Sequence, residues 1–129
     1  MEVGRKMIIK SVKDLDVYRL AFDSAMEIFR ISKDFPREEK YSLVDQIRRS
    51  SRSVCANISE AWRSRKYRAS FVNKITIASQ EAAETQTWLE FALKCEYLDQ
   101  GGFKQLDEKY EHIYAMLLTM ERMTDRFCK

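Results

Sequence analysis

Proline and glycine are scarce in this 129-residue chain, which has one proline and three glycines. Few positions can therefore terminate or sharply turn the backbone, and a small number of long helices is expected rather than many short strands. Histidine is scarcer still. His112 stands alone, so a Ser-His-Asp or Cys-His device would have to be built around it, and no nucleophile lies at a suitable local spacing. A di-iron bundle needs Glu-x-x-His on two helices and is excluded by the same count. Glycine-rich phosphate loops are absent, because Gly101-Gly102 lacks the following Lys-Ser/Thr of a nucleotide site. No metal, cofactor or catalytic residue is assigned, and a non-enzymatic protein is expected.

Long apolar runs are also missing. Met7 to Ile9 is interrupted by Lys10, and no later segment approaches the roughly 20 apolar residues of a membrane span. A soluble, cytoplasmic protein without a membrane partner is expected. Cys55, Cys95 and Cys128 are odd in number and share no metal-type spacing, which reads as reduced thiols.

What the chain does have is helical periodicity and one polarised segment. Residues 1–13 read as an N-terminal arm, and 14–129 as a single all-α domain. Val17, Ala21, Phe22, Ala25, Ile28 and Phe29 recur at helical intervals from Asp14 to about Ser32. Pro36 ends that helix. In the second helix, with Glu38 and Glu39 in its first turn, Val44, Ile47, Ser51, Val54, Ile58 and Trp62 step by three and four, the spacing of a bundle seam. The third is expected over Ser70 to Tyr97, capped by Ser64 or Ser70, with Phe71, Ile75, Ala78, Ala82, Thr85, Leu89 and Ala92 inward. Gly101-Gly102 is expected to end it through the left-handed conformation glycine tolerates. The fourth helix then runs from Phe103, with Leu106, Tyr110, Ile113, Leu117, Met120, Thr124 and Phe127 along its seam. Four helices on short links predict an antiparallel, up-and-down four-helix bundle.

Apolar residues exceed what one seam per helix can bury. Trp88, Phe91 and Cys95 form a second stripe on the third helix, and the fourth is apolar almost all round from Ile113 to Met120. Trp88, Phe91, Met116 and Met120 are therefore candidate oligomer contacts.

The polarised segment is Gln46 to Lys74. It holds eight basic residues against the single acid Glu60, a local charge of +7, whereas the rest of the chain nets −4 and the whole +3. At about 100° per residue, Arg48, Arg49, Arg52 and Arg63 share a stripe whose centre lies roughly 130° from the seam of their own helix. Arginine suits phosphate because its planar fork donates two bonds at once. Arg48, Arg49, Arg52, Arg63, Arg65, Lys66 and Arg68 are the candidate nucleic-acid-binding residues. A solvated face with local salt bridges is the bland alternative. Trp62, Trp88, Tyr67 and Phe71 are of a type that stacks on unpaired bases, but helical spacing points most of them to core or interface. Glu81, Glu84 and Glu96 read as a solvated acidic strip or as subunit-interface partners for arginine.

Gln46-Ile-Arg-Arg followed by Ser53, Val54, Ala56, Asn57, Ile58 and Glu60 resembles the 23S ribosomal RNA intervening-sequence protein family. Asp16-Val-Tyr-Arg-Leu-Ala, Phe35-Pro and Ile77-Ala-Ser with Glu81 and Glu84 add to the resemblance, which spans about residues 14 to 120. Ala61-Trp62 and Ser79-Gln80 stand where glycine is common in that family. The resemblance implies a four-helix bundle, often a ring-like homopentamer, and a relation to the basic accessory proteins of diversity-generating retroelements, which bind nucleic acid and a reverse transcriptase. Beside that family, Asn57 and Glu60 read as a polar cluster fixing helix register or a subunit contact, with Arg63 or Arg49 as a partner for Glu60. Two functions follow: a homo-oligomer that binds RNA or DNA through the basic stripe, or an assembly module whose arginines pair with acidic surfaces of subunits or of a partner protein.

Overall fold

The structure, a computed structural model, describes residues 9–128. The first eight positions of the expected N-terminal arm lie outside the described residues. Four long helices, α1 (Asp16–Ser32), α2 (Leu43–Arg63), α3 (Arg68–Lys94) and α4 (Gln100–Arg122), are followed by a short α5 (Thr124–Phe127), and the described residues contain no strand. Each long helix packs on its neighbours in sequence, and α4 closes back on α1. This is the up-and-down bundle that the short links require. None of these helices is long and apolar enough to cross a membrane.

The core follows the seams. Ile47, Val54 and Ile58 of α2 meet Phe71, Ile75, Ala78, Ala82 and Leu89 of α3, and all are fully enclosed. The α2–α3 contact is the most extensive in the molecule. Small hydroxyl residues let these two helices approach: Thr85 Oγ1 donates to Ser50 Oγ at 2.8 Å in the buried crossing. On α4, Leu106, Tyr110, Ile113 and Leu117 complete the core, and Phe127 of α5 stacks on Phe71 with centroids 5.8 Å apart.

Helix ends depart from the sequence expectation. Asp14 precedes α1: it closes a 3-10 turn, Val12–Asp14, where its carboxylate accepts from the Lys10 and Ser11 amides and is held below the ordinary aspartate pKa by those bonds. Glu38 and Glu39 occupy a separate turn, Arg37–Glu39, rather than the first turn of α2. Ser42 interrupts the helix with φ −125° and ψ −98°. Glu39 nevertheless serves α2 from outside, its carboxylate accepting from the Leu43 amide, the Ser42 hydroxyl and the Tyr97 hydroxyl at 3.2, 2.6 and 2.8 Å.

Neither Ser64 nor Ser70 caps α3, which begins at Arg68 with no side-chain cap. It ends at Lys94 without using glycine. Glu96 takes the left-handed conformation at φ 65°, and the amides of Glu96 and Tyr97 return to the carbonyls of Leu93 and Ala92, the two bonds of a Schellman close. Gly101 and Gly102 instead open α4, where Asp99 caps the Gly102 amide at 2.7 Å. A Cβ on Gly102 would stand 3.0 Å from Leu98 Cδ1 and 3.1 Å from Asp99 Oδ1, so glycine there permits the close cap.

Two outcomes are expected. Asp99→Ala lowers the unfolding free energy in urea by about 1 kcal/mol through loss of the cap, and no change would show that α4 starts elsewhere. Hydrogen bonds from Ser42 and Tyr97 hold the Glu39 pKa below the ordinary glutamate value of 4.5. A depressed pKa contributes stability that is present above the unfolded value and lost as pH falls through the folded one. Glu39→Gln should thus flatten the loss of stability below about pH 4.5, and an unchanged acid limb contradicts this role.

Candidate functional site

The up-and-down topology brings three distant segments to one end of the bundle: the turn before α1, the C-terminal end of α2 with its link to α3, and α5. Between them lies a cleft of about 970 Å³. Among the described residues its lining carries six cationic side chains, Lys10, Lys13, Arg63, Arg65, Lys66 and Arg126, and no carboxylate. Among the described residues none of the six has an acid within ion-pair distance. Tyr18, Trp62 and Phe127 form its apolar walls, and Ser11 and Ser59 add hydroxyls.

Arg65 is fixed in place. Its Nε donates to the Trp62 carbonyl at 2.8 Å, satisfying a C-terminal orphan of α2, and its guanidinium lies 3.5 Å over the Trp62 ring. The Nη edge is left for a ligand. Holding the side chain before binding removes part of the ordering cost an arginine otherwise meets.

The basic residues of the polarised segment outside the cleft are engaged elsewhere. Arg48 folds onto the end of α1, where Nε donates to Ser32 Oγ at 2.8 Å, Nη2 donates to the Phe29 carbonyl at 3.2 Å, and the guanidinium lies 4.7 Å from the Phe29 ring centroid. Arg52 lies 5.8 Å from the same ring. Arg49 bridges α2 to α3 by pairing with Glu81 at 3.2 Å and Glu84 at 2.5 Å, and the bond it donates to Glu84 holds its guanidinium pKa above the usual value. Glu84 also accepts from Trp88 Nε1 at 3.0 Å. Arg68 binds Thr124 and Asp125, tying α5 to α3. The candidate set is therefore divided: Arg63, Arg65 and Lys66 come together in the cleft, while Arg48, Arg49, Arg52 and Arg68 serve contacts between elements.

Lys10, Lys13 and Arg126 were not among the sequence candidates. No local spacing marks them, since they join the site only through the fold. The antiparallel order itself was the available signal, because it sends both ends of the chain to the C-terminal end of α2.

Within the chain the expected polar cluster does not form. Asn57 Nδ2 donates to Ser53 of its own helix at 2.9 and 3.1 Å, and Glu60 pairs with Lys74 of α3 at 2.9 Å rather than with Asn57, Arg63 or Arg49. Phe71 and Trp62 are core residues, and Tyr67 alone of the four stacking candidates is largely exposed, at 65%. Met120 is 7% exposed and packed in the chain's own core, so it is spent within the monomer; Met116 is half-buried. Phe91 remains 53% exposed. It lines a groove of about 450 Å³ at the opposite end with Trp88, Tyr41, Leu43 and Cys95. His112 is exposed on α4. The described residues contain no group of three or more His, Cys, Asp or Glu placed to hold a metal ion. All three cysteines are free, and burial pushes the Cys55 thiol up to about 11.

No curated protein matches the chain. Among solved structures, a protein of unknown function from the S23 ribosomal protein family of Bacteroides thetaiotaomicron is similar at 32% identity and a TM-score of 0.75, over 82% of this chain and 95% of that one. The family model described as 23S rRNA-intervening sequence protein matches residues 13–119. That stretch takes in α1, α2, α3 and most of α4, and on it the chain belongs to the 23S rRNA-intervening sequence protein family.

Proposed function

We propose that this protein is a non-enzymatic, homo-oligomeric nucleic-acid-binding bundle that holds phosphates of RNA or DNA in the cleft at the C-terminal end of α2. The observation that carries this reading is the set of six cations in one concavity with no carboxylate among the described residues of its lining. Phosphate contacts supply most of the sequence-independent affinity for nucleic acid, and arginine and lysine make them. The exposed Phe91 and Tyr41, with Phe22 and Met26 on α1, support assembly of copies, since a monomer would leave them in water. In an oligomer each subunit brings one cleft, multiplying the positive field. Arg49 finds its acids within its own chain, which weighs against the reading in which the arginines serve mainly to join subunits or partner proteins.

Binding of a labelled oligonucleotide across a salt series, on a sample of known mass, tests the first half. Replacing Arg63, Lys66 and Arg126 together by glutamine should weaken binding at low salt by at least about tenfold and lower the slope of log K against log salt by about 2, the value for three single-strand phosphate contacts. Arg48→Gln, whose side chain is committed to α1, should bind within about twofold of the parent. A folded triple variant with unchanged affinity and slope overturns the proposal.

Light scattering tests the second half. Phe91→Glu leaves the monomer core untouched, because the side chain lies outside it, and should shift the particle mass down to that of a smaller species. A parent protein that already runs as a monomer, or a variant with unchanged mass, contradicts the assembly through this groove.

A further inference from the structure

The distribution of free and paired charge around the cleft limits what can enter it. Beside it, among the described residues, three cations are matched by acids: Arg19 by Asp16, Arg68 by Asp125 and Lys74 by Glu60. The three acids are 83%, 90% and 56% exposed, and each lies one or two positions from a lining residue, Tyr18, Arg126 or Ser59. Acid-paired cations therefore stand beside the unpaired ones of the lining. A strand whose interior phosphates carry one charge each, spaced along an extended backbone, needs a continuing track of cations. The six lining cations instead gather in one concavity.

A compact anion with several charges suits the cleft better. Six cations converge on it from three segments, and its volume of about 970 Å³ falls at the upper end of the range for small-molecule sites. Arg65 offers a preset pair of N–H donors, as its Nε and its ring face are already engaged. Tyr18 and Phe127 supply an aromatic wall for a base beside the phosphates.

We infer that the cleft receives a terminal polyphosphate, and that its source is the 5′ end of an RNA strand rather than the interior of one. This rests on the nucleic-acid reading above and narrows it to the strand end. A free nucleoside triphosphate carries the same chemistry, so the test separates the two sources.

The probe is one 3′-labelled oligoribonucleotide prepared with either a 5′-triphosphate or a 5′-hydroxyl, with ATP and inorganic tripolyphosphate as competitors. The triphosphate strand should bind at least tenfold more tightly, and that ratio should fall to near one in Arg65→Lys, which keeps the charge but not the stacked fork. Lys66→Gln, altered at an exposed residue, should reduce the ratio as a second variant. Tripolyphosphate and ATP should displace the strand only at concentrations well above the strand's own Kd. Equal binding of the two strands overturns the inference and leaves the nucleic-acid reading standing. Failure of both strands to bind overturns both. Displacement by ATP or tripolyphosphate at concentrations comparable with the strand's Kd overturns the strand end as the source.

Discussion

Packing of α2 against α3 is the contact on which the rest of the molecule depends. It is the broadest helix pair among the described residues, and it sets the rotation of α2 about its own axis. Once Ile47, Val54 and Ile58 face Phe71, Ile75 and Leu89, every other side chain of α2 has an assigned direction. Arg48 must turn towards α1, Arg49 towards the acids of α3, and Arg63 out of the bundle's end. A rotation of α2 by one residue would dissolve all three assignments together.

The arginines thus do two different things on one helix. In the first half of α2 they are structural: Arg48 satisfies carbonyl and hydroxyl groups at the close of α1, and Arg49 crosses to Glu81 and Glu84. Half-exposed pairs of this kind contribute only about 0.2–1 kcal/mol each, so their value lies more in fixing geometry than in adding stability. In the second half, Arg63 and Arg65 have no acid among the described residues and meet cations from both ends of the chain. The same residue type is engaged by partners of α1 and α3 in one place and left without an acid among the described residues in another, and that contrast singles out the cleft.

Much of this was legible in the sequence. The seams of α2, α3 and α4 appear in the three-four spacing, and each named seam residue from Val44 to Met120 is buried. Periodicity reports how one helix faces its neighbours, so it serves the core well. It says less about helix ends. Gly101-Gly102 reads as a stop, yet α3 closes on Glu96 and the glycines begin α4, because a Schellman close is decided by the return of two amides and by the docking of Tyr97 beside Phe35. The site was legible only in part. Arg63, Arg65 and Lys66 are local in sequence, but Lys10, Lys13 and Arg126 join them through tertiary structure, and the pairing of Arg49, Arg68 and Lys74 with acids depends on which helix lies alongside.

The division of α2 into a structural half and a ligand-facing half is most directly tested by following the arginine Nε–Hε resonances by NMR while a short RNA is added. Shifts confined to Arg63, Arg65 and Arg126, with Arg48 and Arg49 unmoved, are the expected result. Shifts concentrated on Arg48, Arg49 and Arg52, with the cleft arginines silent, would contradict it.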